Sequence, residues 1–273
     1  MSKTPQAISN FAVQSPLDVA TVECALNELL AAVRDDQVPA TAVDQMHDYY
    51  DRYITWQNHF LHHFAPFVRD VDRCFNPQST QPHLLDLGCG VATQAHLLAM
   101  RGATITGLDH NPQRVAAGQA MTSWFSERSG KSLHVTLQAA DAFEMLAQQP
   151  AESFDGCYTQ FALAYMRPHR EMLELIHRVV RPGGRILFRE FNAGSLYNRV
   201  ISRVDWLTDR DYQDIGKELG WQCLARDYCW FVPKQLTNPG QLRHWWGRFE
   251  AGLERISPVA RYGAAAMTLV FQR

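Results

Sequence analysis

Three acids stand where the chain changes from an extended pattern to a turn: Asp86, Asp109 and Asp141. Asp86 closes the apolar run Leu84-Leu85 and precedes Leu87-Gly88-Cys89-Gly90-Val91-Ala92-Thr93, after which Gln94 to Met100 has a helical composition. A glycine turn between a strand and a helix lets the main chain bend sharply and lets a ligand approach its N–H groups. Asp109 ends the run Thr104-Ile105-Thr106-Gly107-Leu108, about twenty residues past the turn, where a carboxylate can accept from both hydroxyls of a ribose. Asp141 follows the run Leu133 to Gln138, and a carboxylate there can accept from an adenine amino group. Two strand-end acids and a glycine turn describe an adenosine cradle. Asp86 ahead of the turn repels phosphate and suits a cationic group, and Ala92 stands where a dinucleotide turn usually carries its third glycine.

The elements that must position these groups alternate. Strand-like segments end at Asp86, Asp109, Gln138, Thr159 and Glu190, with helical segments at Pro112 to Ser126 and Arg170 to Val180 between them. That order predicts an α/β fold with a doubly wound, mostly parallel sheet. Ahead of it, Val19, Val22, Leu26, Leu29, Leu30 and Val33 recur at helical spacing, and one helical region is expected from Ala42 to Cys74. Residues Met1 to Ser15 read as a loose polar start. In the tail, Gln222 to Val232 and Ala265 to Phe271 read as strands around a Trp-rich, helix-like insertion.

Composition narrows the class. With 26 Lys+Arg against 28 Asp+Glu, the formal charge of −2 gives no support for a polyanion surface. The six cysteines show no CxxC or zinc-ribbon spacing and read as reduced thiols of a cytoplasmic protein. No stretch reaches the ~20 apolar residues of a membrane span, and the first residues do not read as a signal peptide.

Five segments in order resemble one family, the class I S-adenosylmethionine-dependent methyltransferases: Leu85 to Ala92, Gly107-Leu108-Asp109, Ala140-Asp141-Ala142, Phe154 to Tyr165, and Leu175 to Gly184. The resemblance implies a seven-stranded Rossmann-like sheet with a C-terminal antiparallel strand, at 81–273 with an insertion at about 233–264, and a helical N-terminal extension, 1–80, covering the cofactor cleft. It implies S-adenosyl-L-methionine as cofactor and S-adenosyl-L-homocysteine as product. Gly88 and Gly90 then let the backbone pass the methionine moiety, and Asp86 supports its amino group. Asp109 holds the ribose with His110 and Asn111 beside it. Asp141 and Ala142 frame the adenine, and Thr159 or Gln160 lies near the methionine end.

Other residues carry two readings each. Tyr50, beside Tyr49 in the extension, either reaches the methionine carboxylate or packs in the core. Glu190 is a substrate-side base or a surface carboxylate, and Tyr165 and His169 are further candidates for the acceptor side. His59, His62 and His63 lie at helical spacing without a Cys or carboxylate at ligand spacing, so no metal site is expected. Trp206, Trp221, Trp230, Trp245 and Trp246 line a pocket or fill a core. The expected reaction is methyl transfer to an O, N or C nucleophile of a small molecule. No Asn-Pro-Pro-Tyr or Asp-Pro-Pro-Tyr follows the fourth strand, which argues against exocyclic base amines. An RNA-modifying methyltransferase, a nicotinamide dehydrogenase and a non-catalytic binding module are the alternatives, and a homodimer is a possible assembly.

Overall fold

The computed structural model describes residues 6–13, 16–75, 81–201, 206–231, 245, 248–250, 252–253 and 256–273. Seven strands form a mostly parallel sheet with antiparallel C-terminal pairing. The chain divides into two compact units, Met1–Ala142 and Phe143–Arg273.

The first unit opens with four helices: α1 (Gln6–Val13), α2 (Val19–Arg34), α3 (Val43–Thr55) and α4 (Gln57–Phe75). Helix α1 replaces the expected loose start. Ile8 and Phe11 are fully buried, the Ile8 N–H donates to Glu28 at 3.1 Å, and Lys131 donates to the Ala12 carbonyl at 2.8 Å. A fully buried side chain of this size contributes about 1.5–3 kcal/mol, which suffices to hold so short a helix against α2. The single helical region expected from Ala42 breaks at Trp56. There the Thr55 hydroxyl donates back to the Asp51 carbonyl at 3.1 Å, a bond that competes with the helical ladder.

Strands β1 (His83–Leu87), β2 (Thr104–Asp109) and β3 (Val135–Ala139) follow, with β2 paired in parallel to both neighbours. They alternate with α5 (Thr93–Met100) and α6 (Pro112–Ser129). Helix α6 starts where the Asn111 side chain accepts from the Gln113 and Arg114 N–H groups, with Pro112 at the first turn, and ends at Gly130. Helix α7 (Ala142–Gln148) links the two units in sequence.

The second unit holds β4 (Phe154–Gln160), α8 (His169–Val179), β5 (Val180–Phe191), α9 (Leu196–Ile201), α10 (Asp209–Glu218), β6 (Gln222–Cys229), α11 (Ser257–Gly263) and β7 (Ala266–Gln272). Strand β4 runs parallel to β5, and β7 is antiparallel to both β5 and β6. Phe191 and Cys229 both register with Ala266, so β5 and β6 finish at the same edge. Asp209, buried beneath that edge, accepts from Arg226 and Arg261 at 3.0 Å each and from the Tyr228 hydroxyl at 2.9 Å, tying α10, β6 and α11 together. Trp246 and most of the expected insertion at 233–264 lie outside the described residues.

Candidate cofactor cradle and acceptor-side residues

In the first unit, β1 delivers Asp86, 3% exposed, to the start of the turn. Gly88 and Gly90 take left-handed φ values of 80° and 57°. Ala92 does the same at 60°, a conformation that costs an alanine roughly 1 kcal/mol and makes it the turn's strained corner. The turn is pinned from β2. The Gly88 and Cys89 N–H groups both donate to the Leu108 carbonyl at 2.8 Å, and the Gly90 N–H donates to Asp109 Oδ2 at 2.9 Å. Asp109 Oδ1 accepts from the Asn111 N–H at 2.9 Å, so the carboxylate is oriented from both sides and only 8% exposed. Each of its oxygens keeps a further lone pair for a hydroxyl donor. Burial, with the negative charges of Asp86 and Asp109 beside it, pushes the Cys89 thiol far up its titration range.

His110 stands out in solvent with Nδ1 3.5 Å from Asp109 Oδ1, and the Asn111 side chain is spent on the α6 cap. Asp141 is exposed and Ala142 half-buried, directly after β3, where the Ala140 N–H donates to the Asp109 carbonyl at 3.1 Å. The structure therefore brings Asp86, Gly88, Gly90, Asp109, His110 and Asn111 into one constellation, with Asp141 and Ala142 at the neighbouring strand end.

The tyrosine pair separates into two roles. Tyr50 is fully buried and its hydroxyl pairs with the Thr93 hydroxyl at the start of α5. Tyr49 instead lies over the turn: a Cβ added at Gly90 would meet its hydroxyl at 3.1 Å. The Arg114 guanidinium sits 5.7 Å from the Tyr49 ring centre. Glycine at position 90 is required twice, by its φ and by this close approach. The spacing of Met46 and Tyr50 on one buried stripe of α3 was the signal that places Tyr49 one step round, toward the turn.

In the second unit, Thr159 is fully buried and its hydroxyl has no hydrogen-bond partner among the described residues, while Gln160 at the strand end is half-buried. Glu190, 1% exposed, accepts from the N–H groups of Ala162 (3.1 Å), Leu163 (3.0 Å) and Ala164 (3.4 Å). Its carboxyl clamps the turn after β4, and burial, opposed by those three bonds, pushes it up to about 8. Tyr165 on that turn is 71% exposed. His169 Nδ1 lies 3.0 Å from the Met166 carbonyl, which as an acceptor places the proton on Nδ1. Nε2 then carries the lone pair, is buried, and has no partner among the described residues. Of the three acceptor-side candidates, His169 has a basic ring nitrogen with no hydrogen-bond partner among the described residues.

The sheet order, the glycine turn and the helix that follows it make a Rossmann-like α/β fold. Residues 85–188 match the family model described as a methyltransferase domain. Over 109 residues the chain is 31% identical to the ubiquinone biosynthesis O-methyltransferase of Pseudomonas syringae pv. tomato, covering 40% of this chain and 44% of that protein. Over 178 residues it is 33% identical to O-methyltransferase resE of Aspergillus sclerotiorum, covering 59% of this chain and 65% of that protein. It thus spans less than half the length of the first relative and just under two thirds of the second. A solved S-adenosylmethionine-dependent methyltransferase of Archaeoglobus fulgidus shares the fold, with a TM-score of 0.56 and 17% identity over 82% of this chain and 99% of that one. Among the described residues no helix is long and apolar enough to cross a membrane.

Proposed function

We propose that the chain is an S-adenosylmethionine-dependent methyltransferase that methylates an oxygen of a small-molecule acceptor. The single observation that carries the cofactor half is the Asp109 carboxylate, fixed by the Gly90 and Asn111 N–H groups and holding spare lone pairs at the end of β2. The oxygen is favoured because both relatives described above are named O-methyltransferases. The near-neutral charge supports a small acceptor over a nucleic acid.

The residues present suit the cofactor: glycine at 90 permits the close approach of Tyr49, whose hydroxyl a Cβ there would meet at 3.1 Å, and Asp86 and Asp109 would face an amino group and a diol. When bound, S-adenosylmethionine supplies an electrophilic methyl group on a sulfonium sulfur. Asp109 would accept from the ribose hydroxyls, Asp86 would hold the amino group through the turn, and Asp141 and Ala142 would flank the adenine. Tyr49, rather than Tyr50, is the hydroxyl from the N-terminal helices that lies at the turn, and in this reading helices α1–α4 form the cover over the cofactor. Catalysis would rest on orientation, with His169 Nε2 taking the proton of the acceptor hydroxyl.

The test is transfer of labelled methyl from S-adenosylmethionine to a panel of hydroxylated small molecules, with amines of matching skeleton alongside. Methylation of hydroxyls and not amines supports the oxygen assignment, and methylation of amines alone overturns it. A protein that binds S-adenosylhomocysteine but transfers to nothing on a broad panel is a binding module instead.

A further inference from the structure

Four aromatic side chains from four separate segments meet at the edge of the second unit where β4, β5 and β6 end. Phe161 follows β4, Phe191 closes β5, Trp206 precedes α10, and Trp230 follows β6. Phe161 lies 4.6 Å from Phe191 and 4.7 Å from Trp230, and Trp206 stacks on Phe191 at 4.4 Å with 13° between the planes. All four remain half-exposed, so their outer faces are not consumed by the core.

Two features set this cluster apart from ordinary packing. Phe161 and Trp230 take left-handed φ values of 58° and 68°, a conformation that costs bulky residues energy and persists only where surroundings impose it. The surroundings do impose it. The Phe161 N–H donates to the Arg189 carbonyl at 2.8 Å, Glu190 clamps the next three N–H groups, and the Trp230 carbonyl accepts from Ala265 at 3.0 Å. The second feature is the Trp206 indole N–H, buried at the atom and with no acceptor among the described residues. A buried N–H without an acceptor is costly in a finished core and is served when a ligand oxygen arrives.

Among the described residues, three acids at this edge are already engaged. Glu190 holds backbone N–H groups, Asp209 holds Arg226, Arg261 and Tyr228, and Glu250 accepts from the Phe231 N–H at 3.0 Å. Among the described residues the edge therefore offers flat aromatic faces with the Trp206 N–H beside them, which suits a planar ring that carries an oxygen acceptor. Carboxyl ends of parallel strands are also where open α/β sheets take their ligands.

We propose that Phe161, Phe191, Trp206 and Trp230 form the acceptor platform, and that the acceptor is a planar aromatic compound whose oxygen receives the Trp206 N–H. This rests on the methyltransferase reading above and names its substrate class. Trp206 is the specificity-determining residue, because it couples ring stacking to a hydrogen bond.

The experiment titrates 1-naphthol and its saturated counterpart decahydro-1-naphthol into the S-adenosylhomocysteine-loaded protein, by calorimetry, for wild type, Trp206→Phe and Trp206→Ala. The flat ring is expected to bind at least tenfold tighter than the saturated one. Trp206→Phe should weaken 1-naphthol by about tenfold, as for one lost hydrogen bond, with Trp206→Ala worse and S-adenosylhomocysteine affinity unchanged in both. Equal affinity for the two ring systems, or a Trp206→Phe protein that loses thermal stability while 1-naphthol binding holds, overturns the platform and leaves the cofactor reading intact. Wild-type protein that fails to bind S-adenosylhomocysteine overturns that reading first.

Discussion

The two units build their functional ends from opposite materials. In the first, the turn at Gly88–Ala92 is held by main-chain bonds onto β2 and by one oriented carboxylate, Asp109. In the second, the ends of β4, β5 and β6 carry aromatic rings, and the principal carboxylate there, Glu190, is turned inward onto backbone N–H groups. A carboxylate bonded to N–H groups beside a glycine turn presents spare acceptors to a polyhydroxylated ligand. A carboxylate buried beneath a turn presents nothing outward and fixes the shape of what stands above it. The difference teaches that a strand-end acid is a binding group only where its second lone pairs remain reachable.

The largest effect that sharpens this contrast is expected at His169. If its unengaged Nε2 takes the acceptor proton, His169→Ala lowers kcat by roughly 10²–10⁴-fold with unchanged cofactor affinity. Turnover within a few-fold of wild type removes the base assignment and leaves orientation as the sole source of rate.

A smaller effect falls on the turn. Gly90→Ala places a methyl group 3.1 Å from the Tyr49 hydroxyl in a left-handed conformation. It should cost roughly 1–2 kcal/mol of stability and weaken cofactor binding with it. The double variant Gly90→Ala/Tyr49→Phe should recover part of the loss, as the thermal midpoint will show; no recovery would mean that the conformation and not the contact decides.

The pH response separates the units most gently. Burial lowers His96, on α5, to about 4, while its ring stacks on Phe125 at 4.8 Å. The unfolded chain then binds the extra proton between about 4 and 6.5, so this group makes stability fall as pH drops through that window. Glu190, raised from 4.5 to about 8, has the opposite sign: the folded state holds the extra proton, and stability falls as pH rises through that window. Each contributes at most about 1.4 kcal/mol per pH unit. In chemical denaturation, Glu190→Gln should flatten the loss between pH 5 and 8, and His96→Gln the loss below 6.5. An unchanged slope in either variant contradicts the corresponding burial argument.

The sequence made the strand-turn-acid pattern legible because it is local: Asp86, Gly88, Gly90 and Asp109 lie within one strand-helix-strand unit. Other features were out of reach for physical reasons. Among the described side chains of helix α1, Ile8 and Phe11 are the large fully buried ones, and the helix is held by Glu28 and Lys131 from far along the chain. Tyr49 lies at the turn through the rotation of α3, which the buried stripe of Met46 and Tyr50 carries but which points to the turn only once the partner of that stripe is known. Glu190 reads as a substrate-side base or a surface carboxylate, but it is buried and accepts from the N–H groups of the turn after β4, a contact between positions 28 residues apart. The aromatic edge joins residues 161, 191, 206 and 230, and no spacing rule relates them.

The central claim is that Asp109 holds an S-adenosyl ligand at the glycine turn. Its direct test is calorimetric titration of S-adenosylhomocysteine into wild type and Asp109→Ala, with the thermal midpoint of each variant recorded and NADH as the rival ligand. The account predicts saturable binding of S-adenosylhomocysteine, none of NADH, and a loss of about 1–3 kcal/mol in Asp109→Ala, as for a charge-assisted hydrogen bond. Equal affinity in wild type and a folded Asp109→Ala protein, or binding of NADH in place of S-adenosylhomocysteine, would contradict it.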